Sequence, residues 1–133
     1  MHDALEKEVA SGRGGVVKGV VANTVIWAVQ RLWTGVYDPA TEDVYGKEIG
    51  VYLENTRQTI TEYLVPFDVL KQKAAAHGLK LDRSETFGRT FERESAAHST
   101  WEDPMHHIFD KFRREPVQRR FSSFNRWAVF RKA

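Results

Sequence analysis

The stretch Gly46-Lys47-Glu48-Ile49-Gly50-Val51-Tyr52-Leu53-Glu54, continued by Glu62-Tyr63-Leu64-Val65-Pro66-Phe67-Asp68-Val69-Leu70 and then His77-Gly78-Leu79-Lys80-Leu81, decides how this chain is read. Ile49, Val51 and Leu53 alternate with Glu48, Gly50, Tyr52 and Glu54, the period of a strand with one buried face. Residues 55–61 read as a polar loop. Pro66 suits a first helical turn, Asp68 suits the dipole at that end, and Phe67, Leu70 and Ala74 share a face. Gly78 stops this helix, and residues 79–83 alternate again as a strand. The order strand, loop, helix, strand puts Glu62 at the mouth of a β-to-α connection, where open α/β sheets hold ligands. Spacing alone leaves two readings for Glu62: a capping or surface carboxylate, or a group accepting hydrogen bonds from a planar, N–H-rich edge such as that of guanine.

Working outward, residues 3–11 suit a short helix with Leu5 and Val9 on one side. Gly12-Arg13-Gly14-Gly15 reads as its stop and a tight turn. A phosphate loop would need a preceding strand and a following Lys-Ser/Thr. Val16-Val17-Lys18-Gly19-Val20-Val21 is nearly all apolar, as expected of a strand buried on both faces of a parallel sheet. Asn23 or Thr24 then caps an expected helix reaching about Trp33, with Ile26, Val29 and Trp33 as its inner stripe. Trp27 and Trp33 read as packing residues. Residues 35–46 form a polar turn region.

Residues 88–120 read as a polar insert with few assignable elements, Phe91 and Trp101 being isolated apolar anchors. Within it, residues 108–114 suit a short helix that Pro116 ends. Residues 125–131 close the chain as a strand able to pair antiparallel. Strands alternating with helices imply a single α/β domain with a mixed sheet.

Composition supports a soluble, intracellular protein with a core. Among 133 residues, 41% are hydrophobic and 29% charged, in the ordinary range for globular chains. Cysteine is absent, which excludes a disulfide framework and thiolate zinc. No apolar run approaches the roughly 20 residues that span a bilayer, and the charged N-terminus lacks a signal-peptide core. The net charge of +2 hides an asymmetry. Asp38, Glu42, Asp43, Glu48, Glu54 and Glu62 make one segment acidic. Lys111, Arg113, Arg114, Arg119, Arg120, Arg126, Arg131 and Lys132 make the C-terminal part basic, either as a solvated face or as a phosphate-backbone contact. His98, His106 and His107 lack cysteine partners, and adjacent histidines on a helix point apart, so no metal site is expected. His77 suits the dipole at a helix end. Ser84, Ser95, Ser122 and Ser123 lie in no nucleophile-elbow pattern, and no catalytic residue is assigned.

The quoted run, together with Phe87, resembles the C-terminal half of the mRNA cap guanine-N7 methyltransferase family, particularly the capping enzymes of large DNA viruses. The ending Phe124-Asn125-Arg126-Trp127-Ala128-Val129-Phe130-Arg131-Lys132 is similar to that family's final strand. Gly14-Gly15-Val16-Val17-Lys18-Gly19-Val20-Val21 is similar to the glycine pair and strand before its substrate-side subdomain. The resemblance implies a class I S-adenosylmethionine-dependent methyltransferase (Rossmann-like) sheet with an antiparallel last strand. It implies transfer of a methyl group from S-adenosylmethionine to N7 of the terminal guanine of capped RNA. Glu62 is then the cap-guanine contact and Tyr63 its immediate scaffold. Asn125 stands where the family often has an aromatic residue, with Trp127 two residues on. The family's donor-binding glycine turn has no counterpart here. The expectation is therefore a partial domain over 1–133, completed by a missing N-terminal half or a catalytic partner subunit. The alternative is a non-catalytic subunit that binds RNA or such a partner.

Overall fold

The computed structural model describes residues 1–10, 14–35 and 45–133. The expected helix stop at Gly12-Arg13 and most of the turn region, residues 36–44, lie outside the described residues. The elements are α1 (His2–Ala10), β1 (Val16–Val21), β2 (Thr24–Arg31), β3 (Glu48–Leu53), β4 (Gln58–Tyr63), α2 (Phe67–Ala76), β5 (Leu79–Thr86), α3 (Phe87–Ala97), α4 (Pro104–Arg113), α5 (Pro116–Ser123) and β6 (Arg126–Lys132). The chain is a mixed α/β protein with two antiparallel sheets, a four-stranded meander β1-β2-β3-β4 and a two-stranded ribbon β5-β6.

The meander corrects three expectations. β1 does not sit in a parallel sheet; it pairs antiparallel with β2, Val17 opposite Val29 and Val21 opposite Thr24. The turn between them is Ala22-Asn23, with φ of 47° and 66°. Positive φ at both central residues is what the right-handed twist of a two-residue hairpin demands. Residues 24–31 are therefore a strand, not the helix expected from Asn23 to Trp33. The apolar residues there satisfy both periods, and the period-2 set wins because Trp27 and Val29 are both buried. Residues 55–61 are likewise not a long loop. The reversal occupies residues 54–57, where the Arg57 amide donates to Leu53 O at 3.0 Å, and β4 then pairs back on β3.

The register sorts the two faces of the meander. Val17, Val29, Val51 and Ile60 align across the four strands on one face. Lys18, Ala28, Tyr52 and Thr59 align on the other. One apolar and one solvated face is the usual solution for an antiparallel sheet. Leu5, Val17, Trp27, Val29, Ile49 and Val51 form the buried core, with Val117, Phe121 and Phe124 packed against it. α1 and α5 cover this face. Leu5 is wholly buried, and Arg31 of β2 holds Glu6 of α1 at 3.2 Å. The Trp27 indole N–H donates to Val117 O at 2.8 Å, and its ring lies 5.4 Å from that of Phe121 and edge-on to Phe124. Gly19 permits this close approach, since a Cβ there would fall 2.3 Å from the Trp27 indole and 2.5 Å from Val117.

The C-terminal part is more regular than its composition suggested. Residues 88–120 hold most of α3, all of α4 and the start of α5. Thr86 caps α3 through the Arg89 amide, and Asp103 caps α4 through the Met105 amide at 2.8 Å. Pro104 and Pro116 each open a helix, a position where the missing N–H costs nothing. Pro116 thus starts α5 as well as following α4. Phe91 of α3 meets Phe109 and Phe112 of α4 at 5.8 and 5.2 Å. β6 pairs antiparallel with β5, as expected of the last strand. No parallel ladder occurs among the described residues.

Candidate functional site

Glu62 sits within β4 rather than in a loop, directly opposite Ile49 and just before the β4-to-α2 connection. Opposed residues in a ladder project to the same face, so its carboxylate belongs to the core side of the meander. β4 is the last strand of the sheet, and all six of its residues are exposed. Glu62 therefore stands where the core face runs out into solvent. Its carboxylate makes no hydrogen bond or ion pair among the described residues.

The chain leaves β4 through Leu64, Val65 and Pro66 and enters α2 at Phe67. Here it meets the end of α5 and the start of β6. The junction encloses an open cleft of ≈ 460 Å³. Val29, Ile49 and Val51 supply its apolar floor. Phe67 and Leu70 stand on the α2 side, Phe121 and Phe124 on the α5 side. Glu62, Asn125 and Arg126 are the polar side chains that line it, with Tyr63 beside them. The volume lies within the range of small-molecule sites, which combine apolar walls with a few polar groups.

Tyr63 alternates to the opposite face from Glu62. Its hydroxyl donates to Glu48 Oε1 at 3.1 Å across the ladder, and that bond holds the phenol above its ordinary pKa. Glu48 restrains Tyr63, which fixes the strand carrying Glu62. Asn125 is held by its own helix, its amide donating to Phe121 O at 3.4 Å, while its backbone carbonyl accepts from the Phe87 amide at 3.0 Å. That arrangement leaves the Asn125 side-chain oxygen available as an acceptor. Arg126 places its guanidinium 4.7 Å from the Phe67 ring centre and donates to Ser84 Oγ at 2.7 Å. Its charge also reaches Asp68, whose carboxyl is held below the ordinary value chiefly by Lys71 and secondarily by Arg126.

Of the four residues singled out from sequence, Glu62 and Asn125 line one cleft, Tyr63 borders it with its side chain on the other face, and the fourth lies elsewhere. Trp127 pairs with Glu85 across the ribbon and points toward α3, where its indole N–H donates to Thr90 Oγ1 at 2.7 Å. The alternation of β6 explains this, since neighbours on a strand face opposite ways. Sequence reasoning counted Arg126 only as part of the basic end. Its adjacency to Asn125 was the available signal.

The histidines form no candidate metal centre. His98 Nδ1 is bonded to Asp103 Oδ2 at 2.6 Å and its ring stacks on Phe109, while His106 and His107 pack edge-on to Trp101. No group of three His, Cys, Asp or Glu able to hold a metal occurs among the described residues. No helix among them is long and apolar enough to cross a membrane. The cleft thus offers a carboxylate with no partner among the described residues, an amide and a guanidinium around aromatic and aliphatic walls, a set suited to orienting a flat polar ligand. No protein-family model and no curated protein matches this chain.

Proposed function

We propose that this chain supplies the nucleobase side of a site for methyl transfer to N7 of the guanine cap of RNA. The carrying observation is that Glu62 and Asn125, from distant parts of the sequence, line one apolar-walled cleft, with no partner on the carboxylate among the described residues. A carboxylate accepts both N–H donors along the N1 and N2 edge of guanine, and adenine lacks that pair of donors. Aromatic walls favour a planar base. The antiparallel pairing of the last strand and the run of β4, α2 and β5 also support a C-terminal half of a class I methyltransferase fold.

The chemistry needs little beyond alignment. The N7 lone pair attacks the methyl carbon, the sulfonium leaves as a thioether, and the purine gains positive charge. No proton has to be removed. Glu62 at the guanine edge orients the base and favours the developing charge. The methyl donor for this reaction is S-adenosylmethionine, and no described residue is assigned to it. On this reading a donor-binding half, in this or another chain, completes the site.

A second reading has its own support. Among the described residues β4 pairs on one side only and is exposed along its whole length, so it offers an open edge to another chain. This favours a non-catalytic subunit that binds RNA or a catalytic partner.

Calorimetric titration with the cap dinucleotides GpppG and ApppA separates the two. The cap-guanine reading expects GpppG to bind more tightly. Glu62→Gln should weaken it by about tenfold or more, the loss of a charge-assisted pair being worth about 1.5–3 kcal/mol. Equal affinity for both dinucleotides would leave only the second reading.

A further inference from the structure

α5 separates two concavities. Its helical period puts Val117 and Phe121 on the side facing the core and the cleft. It turns Pro116, Arg119, Arg120 and Ser123 toward a second groove of ≈ 340 Å³, closed on the far side by Gly88, Phe91 and Glu92 of α3. Gly88 sets the width of that groove, because a Cβ there would come within 3.0 Å of Ser123 Oγ.

The two arginines in this groove have no carboxylate partner among the described residues. They are nevertheless positioned. The Arg119 guanidinium lies 5.7 Å from the Phe91 ring centre, and that of Arg120 lies 5.9 Å from Trp27. Some other arginines on this part of the fold are ion-paired, while Arg89 and Arg113, like these two, have no carboxylate partner among the described residues. Arg114 holds Asp110, Arg93 holds Glu85 and Glu94, and Arg131 reaches Asp82. From residue 104 onward the chain carries eight Lys or Arg against two carboxylates, Asp110 and Glu115. Glu92 is the carboxylate lining the groove, and it leaves a positive excess there.

We infer that the groove between α3 and α5 binds the phosphate backbone of single-stranded RNA through Arg119 and Arg120. Guanidinium forks suit phosphate oxygens, and the approach of each to an aromatic ring limits the freedom lost on binding. The inference rests on the cap reading for the identity of the polynucleotide. A cap guanine beside Phe121 and Phe124 and an RNA chain beside Arg119 and Arg120 would straddle α5.

The test uses a short 5′-labelled, uncapped single-stranded RNA and fluorescence anisotropy at several salt concentrations. Binding is expected, with affinity falling as salt rises. Arg119→Ala/Arg120→Ala should weaken it about tenfold and flatten the logarithmic salt slope by about 1.4, near 0.7 for each phosphate no longer neutralised. Arg119→Lys/Arg120→Lys should retain most of the slope. Glu62→Gln should leave uncapped RNA binding unchanged, which separates this site from the cap cleft. The inference is overturned by no binding at low salt, or by an unchanged slope in the alanine pair. It is also overturned by a lysine pair as weak as the alanine pair, or by a Glu62→Gln loss equal to that of the arginine variants.

Discussion

Glu62 stands opposite Ile49 in the β3–β4 ladder, so a carboxylate with no partner among the described residues shares a sheet face with a buried core residue. Folding alone would place an apolar or β-branched side chain there. Replacement with threonine or valine should therefore stabilise the protein by several tenths of a kcal/mol, within the roughly 1 kcal/mol span of strand preferences. The same variants should lose discrimination between GpppG and ApppA. Urea unfolding and calorimetric titration measure the two effects. A stability loss in both variants would mean that Glu62 serves the fold.

The Ala22-Asn23 turn carries the second expectation. Ala22 has a φ of 47°, a left-handed conformation that costs an L-residue about 1–2 kcal/mol relative to glycine. Ala22→Gly should accordingly raise stability by up to about 1 kcal/mol, reduced by the greater freedom of glycine in the unfolded chain. A helix starting at Asn23 would give no such gain. Thermal unfolding of this single variant discriminates the two structures.

That turn is also where the sequence reading fails most instructively. Val25, Ile26, Trp27, Val29 and Trp33 fit a helical stripe and an alternating strand equally well. The deciding fact is tertiary. Trp27 and Val29 bury against α1 and α5, elements too remote in sequence to register in a local window. β4 was missed for a related reason. Gln58-Thr59-Ile60-Thr61 looks polar because an edge strand exposed on both faces has no apolar pattern to display. β3 is legible because its period agrees with its burial, and α2, β5 and β6 are legible from the Pro66 start, the Gly78 stop and their sequence alternation. The cleft was legible in part. Glu62 stands out by its flanking apolar run, whereas Arg126 requires the tertiary contact of its guanidinium with Phe67 of α2.

Gly19 tests the packing that supports the cleft. A methyl group there would strike the Trp27 indole and Val117 together, and both are held by the Trp27 N–H bond to Val117 O. Gly19→Ala should destabilise by about 1–3 kcal/mol, the usual range for overpacking. Gly46→Ala meets no atom within 4 Å, although its φ of 68° adds backbone strain. Its loss should come from that strain alone, without the change in Trp27 fluorescence expected of Gly19→Ala.

Acid should loosen the C-terminal helices first. The Asp103 carboxyl is held below its ordinary 3.8 mainly by His98 and next by the Met105 amide. Glu85 is held below 4.5 by the Thr90 hydroxyl and then by Arg93. Both pKa values are depressed by folding, so their stabilisation is complete above the ordinary values and is lost as pH falls through the folded ones. Melting temperature should therefore drop below about pH 4. Asp103→Asn keeps an oxygen that can cap α4 but removes the charge facing His98. Its melting temperature should vary less with acid than that of the unmodified protein.

Trp127 provides the control for the cleft. Its indole N–H belongs to a relay in which Thr90 Oγ1 accepts from Trp127 and donates to Glu85 Oε2 at 2.9 Å. Phenylalanine keeps the ring volume nearby but lacks the donor. Trp127→Phe should cost about 0.5–1.5 kcal/mol, the net worth of one such hydrogen bond. Cap-dinucleotide affinity should stay within about twofold, since the side chain points to α3 and does not line the cleft. Arg126→Ala reverses the pattern, because Arg126 lines the cleft against Phe67. It should weaken GpppG binding more than it lowers the melting temperature. If Trp127→Phe and Arg126→Ala weakened binding equally, ligand affinity would be following the stability of the β5-β6 ribbon rather than the chemistry of the cleft.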